Sequence, residues 1–181
     1  MGRTLPLSPA VRLAAREFFG DALDLEPVRV IASPLASLTG RAFVTWNTIH
    51  WPGPPPERPA DPTMRTLIHE LAHCWQYQSG RHQLLRGVIE QTLYTLFGWW
   101  MVRLGLRPLY DPYDFGGAAG VARARGLHDF RLEAQAAIVD ACWASRAHSG
   151  DDPFAADLAR LCREAGIGAI REPWPAPEPN E

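Results

Sequence analysis

At 181 residues and 20.1 kDa, the chain has the size of one domain, since a domain takes about 150 residues. Its composition is 46% hydrophobic and 21% charged, with 18 basic against 20 acidic residues for a net charge of −2; this excludes intrinsic disorder and a polyelectrolyte partner, and with the arginines scattered along the chain no nucleic acid is expected to bind. All 18 basic residues are Arg and none is Lys, which excludes Schiff-base catalysis, a Ser-Lys pair and a phosphate-binding loop with its lysine.

In chain order, Ser8-Pro9 reads as an N-cap followed by proline in the first helical position, and Val11, Ala14, Ala15, Phe18 and Phe19 recur at helical spacing as far as Gly20. The start of the chain has no apolar run of signal-peptide length, being broken by Arg12, Arg16 and Glu17; the expected location is the cytoplasm, or outside the cell by a route independent of a signal peptide. Val28 to Ala32 reads as a strand, and Arg41 to Trp51, alternating and rich in β-branched and aromatic residues, as another. A proline-rich loop follows. Asp61-Pro62 repeats the cap-plus-proline start and opens a helix through Leu67 to Gln78, stopping at Gly80. A second helix is predicted over about 82–104. The most apolar segment of the chain is Leu84 to Leu106, but Arg86, Glu90 and Arg103 leave only twelve uncharged residues from Gln91 to Val102, short of the ~20 a membrane span requires. A buried helix is expected, or a membrane- or partner-binding face through Trp99 and Trp100. Residues 107–126 read as a long loop, 129–148 as a third long helix, and 153–166 as a fourth. The expected division is one domain over 1–172 and a disordered proline-rich tail over 173–181. Cys74, Cys142 and Cys162 form no Cys-x-x-Cys pair and are read as small buried hydrophobes.

The chemistry is concentrated in His69-Glu70-Leu71-Ala72-His73. Histidines four apart lie on one helical face, one turn apart, and can share one metal ion. Glu70 can then reach a metal-activated water as general base without being a ligand. Zinc brings the pKa of such a water from ~15.7 towards ~7, so a carboxylate can complete the deprotonation. A catalytic zinc needs a third protein ligand and an open position. The remaining histidines are His50, His82, His128 and His148, and the carboxylates include Glu90, Asp129, Glu133 and Asp140. The position six after His73 is Ser79, so a three-histidine arrangement of that spacing is absent. Glu133 is the preferred third ligand, because the small residues after it, Ala134, Ala136 and Ala137, let two helices approach closely. Asp140, two turns further along the same face, can accept the second ring N–H of a ligating histidine. Gln76 is expected to make a structural hydrogen bond.

LIHELAHCWQYQ, preceded by TGRAFVTWNTIHW, resembles the zincin-like domain of proteins encoded with extracellular contractile injection systems, especially the small Vgr-related proteins. RLEAQAAIVDAC resembles the second helix of that group and is similar to the Glu-Ala-Asn run of ImmA/IrrE-like metallopeptidases. The resemblance spans about 37–143 and implies an α+β zincin-like fold, a small sheet with a predominantly helical remainder. It also implies one Zn2+ held by His69, His73 and Glu133, with Glu70 as base, in a metallopeptidase acting on a peptide or protein. Gln135 stands where those peptidases carry Asn, and Ala137 where the thermolysin-like spacing would place Asp. In zincins the strand before the motif helix is an edge that receives substrate, which makes Arg41 to Trp51 the expected substrate-side strand, with Trp46 and His50 either facing substrate or packed in the core. Tyr110, Tyr113 and His128 are the candidate oxyanion donors. Two other readings are a non-catalytic zinc module with a secretion-apparatus partner, and a protein acting through the Trp99-Trp100 region.

Overall fold

The computed structural model describes residues 3–80, 113–146 and 152–168, and the architecture is α+β. Helix α1 (Pro9–Phe19) starts where Ser8 caps it, the side chain accepting from the Val11 amide, and its buried face is Val11, Ala14, Ala15, Phe18 and Phe19. After a 3-10 turn (Gly20–Ala22) come β1 (Arg29–Ala32), α2 (Pro34–Thr39), β2 (Phe43–Thr45), β3 (Thr48–Trp51) and α3 (Met64–Gln78). Beyond the segment outside the described residues follow α4 (Gly117–Arg123), a second 3-10 turn (Leu127–Asp129), α5 (Leu132–Ser145) and α6 (Pro153–Glu164). The predicted helix over 82–104 with Trp99 and Trp100, Tyr110, and the tail from 173 onward lie outside the described residues.

Arg41 to Trp51 is two strands, not one. Trp46 and Asn47 form a two-residue turn between β2 and β3, with Thr45 opposite Thr48. Trp46 has φ +57°, a left-handed conformation uncommon for a bulky residue. The turn is anchored from behind: the Asn47 carbonyl accepts from the Arg29 amide at 2.8 Å, and its side-chain oxygen from Gln78 at 3.0 Å. The strand order is β1-β3-β2, with β1 parallel and β2 antiparallel to β3. The strand that immediately precedes the motif helix is therefore central and not an edge. Residues Arg3 to Leu5 cover the outer side of β1 through the Thr4–Ile31 bridge and the Leu5-to-Val30 and Ala32-to-Arg3 bonds. Among the described residues the edge without a strand partner is that of β2.

Two short helices add to the expected elements. Ser33-Pro34 starts α2 in the manner of Ser8-Pro9, the Ser33 side chain accepting from the Ala36 amide, and Gly40 at φ +67° closes it. Helix α4 lies inside the expected 107–126 loop. Asp61 does not cap α3. Its carboxylate accepts from the Glu57 and Arg58 amides at 2.7 and 2.9 Å, closing the loop ahead of the helix, while Thr63 holds the N-cap position with no side-chain bond.

The core joins the inner face of α1, Ile49 and Trp51 of β3, Leu67, Ile68 and Leu71 of α3, Ile138 and Val139 of α5, and Leu158 and Leu161 of α6. Helix α5 is buried on most of its circumference, as the central helix of such a stack must be. It packs most extensively against α3. The three cysteines are buried with no disulfide between them. No described helix is long and apolar enough to cross a membrane.

Candidate metal centre

Helix α3 buries Leu67, Ile68, Leu71 and Ala72 towards the core, which fixes its rotation and leaves His69 and His73 together on the side facing α5. Their rings meet edge to face with centroids 5.0 Å apart. From the first turn of α5, Glu133 reaches between them: its Oε2 lies 3.4 Å from His69 Nε2 and 3.5 Å from His73 Nε2. One ligand atom from each of the three residues falls within 4.8 Å of the others. A tetrahedral zinc with bonds of about 2.0–2.1 Å sets its ligand atoms about 3.3 Å apart, so these two separations fit such an ion, and the two-imidazole, one-carboxylate donor set is one zinc takes in catalytic sites.

The other nitrogens of both rings are engaged. His69 Nδ1 lies 3.3 Å from Asp140 Oδ2, and Asp140 in turn accepts from Arg65 at 2.6 Å. His73 Nδ1 lies 2.9 Å from Gln76 Oε1. The Gln76 amide nitrogen donates to the Leu132 carbonyl at 2.9 Å and to Gln135 Oε1 at 3.1 Å, and Gln135 donates to the Phe130 carbonyl at 2.8 Å. In both histidines Nε2 is therefore the nitrogen turned towards Glu133.

In metal-free protein these groups share protons. Burial disfavours the charged form of His69, but its bonds to Asp140 and Glu133 and the charge of Glu70 outweigh that and raise its pKa to about 10. His73 is likewise buried and likewise raised, by Glu133 above all. Burial of Glu133 is overcome by its bonds to the two imidazoles, which hold it well below the usual carboxylate range. Glu70 is 6% exposed, and its burial, larger than the opposing pull of the two histidines, raises its pKa.

The remaining predicted residues are dispersed. Tyr113 stands beside the cluster, its ring centroid 6.0 Å from that of His69. His128 is exposed on the second 3-10 turn and pairs with its neighbour Asp129 at 3.5 Å. His50 is half-buried between strands, stacked on Phe43 at 4.3 Å with its Nε2 2.9 Å from Thr45 Oγ1, and burial lowers its pKa. Trp46 is 60% exposed at the hairpin tip, which excludes core packing; the neighbouring Trp51 is the buried one, its Nε1 donating to the Pro54 carbonyl. Sequence reasoning gave Arg65 no role and treated Gln135 only as a departure from a family pattern. Arg65 precedes His69 by four positions and so shares its face, a signal that was available; the reach of Gln135 to Gln76 depends on how two helices cross and had none.

Comparison of the chain with protein-family models, characterised proteins and solved structures returned no match.

Proposed function

We propose that this is a zinc-dependent peptidase of zincin-like fold, with His69, His73 and Glu133 as ligands and Glu70 as general base. The observation that carries the reading is the convergence of those three ligand atoms from two helices, with Glu70, buried and next in sequence to the first of them. A zinc ion in such a ligand set supplies a Lewis acid that makes water acidic near neutral pH and polarises a carbonyl. Glu70 takes the proton of the attacking water on its carboxylate and delivers it to the departing amide nitrogen. Its upward-shifted pKa suits both halves of that transfer. Among the described residues Tyr113, whose ring stands beside His69, is the candidate oxyanion donor. The substrate is an extended peptide, which lies along the β2 edge by main-chain pairing.

The test is metal content and turnover together. Protein prepared in metal-free buffer and reloaded is expected to hold about one zinc per chain, lost in His69→Ala, while Glu70→Gln keeps the zinc and loses peptide hydrolysis by about 10²- to 10⁴-fold. Zinc well below one equivalent and unchanged by His69→Ala overturns the metal site. Full zinc with no hydrolysis in the wild type overturns the peptidase and leaves the non-catalytic module.

A further inference from the structure

The second-ring nitrogens of the two histidines end on different chemistry. His69 meets the anionic Asp140, itself bonded to the half-exposed Arg65, whereas His73 meets the neutral amide of Gln76 at the centre of a buried chain. The direction of that chain is determined by the two backbone carbonyls it meets. The Phe130 carbonyl can only accept, so Gln135 must present its NH2 there and its Oε1 to Gln76. The Leu132 carbonyl likewise can only accept, so Gln76 turns its NH2 towards it and towards Gln135, leaving its Oε1 for His73. A flip of either amide would face oxygen with oxygen at about 3 Å in a site where Gln76 and Gln135 are nearly inaccessible to water, and an unmet buried polar group is costly.

We propose that Gln135 and Gln76 are positioning residues that hold His73 as its Nδ1–H tautomer, with Nε2 as the ligand atom, and that tie it to the backbone beside Glu133. This inference rests on the metal reading above. His73 donates through Nδ1 to an oxygen whose orientation is set by the Leu132 carbonyl and by Gln135, so Nε2 is the nitrogen left to ligate a metal on the side of Glu133. The same Gln76 amide holds Leu132, the residue before Glu133. One side chain thus addresses two of the three ligands, which sit on different helices.

Zinc affinity of the full chain, measured by competition with a chromophoric chelator, tests this. Gln76→Met, close in length but without an acceptor, is expected to weaken zinc about 10- to 100-fold. Gln135→Met, one hydrogen bond further from His73, is expected to weaken it about threefold to tenfold, and the double variant to bind no worse than Gln76→Met within about twofold, because Gln135 acts through Gln76. Nitrogen-15 spectra of the zinc-loaded histidines are expected to give Nδ1 protonated and Nε2 bound at His73 in the wild type, a mixture of forms in Gln76→Met, and a smaller displacement of the same signals in Gln135→Met. Wild-type affinity in both variants overturns the relay, as do losses that multiply in the double variant, the mark of two independent packing defects. Should Gln76→Met fail to fold, the affinity and the His73 nitrogen shifts of Gln135→Met decide alone. A wild type that binds no zinc overturns the metal reading and the relay with it, whereas a wild type that binds zinc beside unaffected variants overturns the relay only.

Discussion

At the scale of single residues, the site is defined less by the ligands than by what holds them. An imidazole free to rotate about two torsions offers either nitrogen; here each ring has its Nδ1 engaged, so that Nε2 points at Glu133 in both. Asp140 holds His69 through a 3.3 Å contact and is itself held by Arg65 at 2.6 Å. The Arg65–Asp140 pair alone contributes little, because Arg65 is mostly exposed and such pairs are worth about 0–1 kcal/mol. Its consequence is for the metal. Asp140→Ala is expected to weaken zinc binding about 10- to 100-fold and to lower the stability of the metal-free protein chiefly below about pH 6.5, where Asp140 helps to hold His69 charged. Chelator competition and a denaturant titration on the same preparation separate the two effects; an unchanged zinc affinity would show that His69 needs no such partner.

At the scale of elements, caps and spacing carried most of the helices and packing carried the site. Ser8-Pro9 and Asp152-Pro153 each start a helix as their residue types predict. Ser33-Pro34 has the same signature, but α2 is six residues long and offers no periodicity to go with it. Asp61-Pro62 carries the signature and starts no helix, since nearer amides at Glu57 and Arg58 take the carboxylate. The hairpin within Arg41 to Trp51 was hidden for a physical reason: two-residue turns favour Gly, Asn or Asp, and here Trp46 occupies the position of positive φ. The candidate ligands were legible because four-residue spacing dictates a shared face and because Ala134, Ala136 and Ala137 announce a close helix contact. On α5, Ala136 is fully buried and lies one turn from Glu133 on the side that carries Asp140. Ala136→Leu is therefore expected to cost about 1–3 kcal/mol by overpacking and, by pushing α5 from α3, to weaken zinc as well. The measurement is the denaturation midpoint beside the zinc affinity; a loss of stability with unchanged affinity would mean that Glu133 is carried independently of the α3–α5 separation.

For the whole molecule, the cluster couples folding to pH in opposite senses with and without metal. In the metal-free chain His69 titrates near 10, well above the 6.5 of a free imidazole. A raised histidine stabilises fully below about 6.5 and loses that contribution as pH climbs to about 10. Glu133 is displaced downward, so its contribution is present above about 4.5 and is lost as pH falls through its lower folded pKa. Metal-free protein should thus be most stable in mildly acidic solution, with the unfolding temperature declining from about pH 6.5 upward. Zinc requires the same imidazoles deprotonated, and its binding releases their protons, so its affinity rises over that interval. Ligand binding to the native state adds about 2.7 kcal/mol when free zinc is 100 times its dissociation constant, and the increment grows with pH as that constant falls. Thermal unfolding followed from pH 6 to 9, in chelator and in buffered free zinc, is expected to give a falling curve and a widening gap between the two. His69→Ala should close the gap and lessen the metal-free decline together, the part of the decline that remains belonging to His73. A metal-free unfolding temperature that rises across this range would mean that the carboxylates do not hold His69 protonated, and with that the charge balance read from Glu133 and Asp140 would fall.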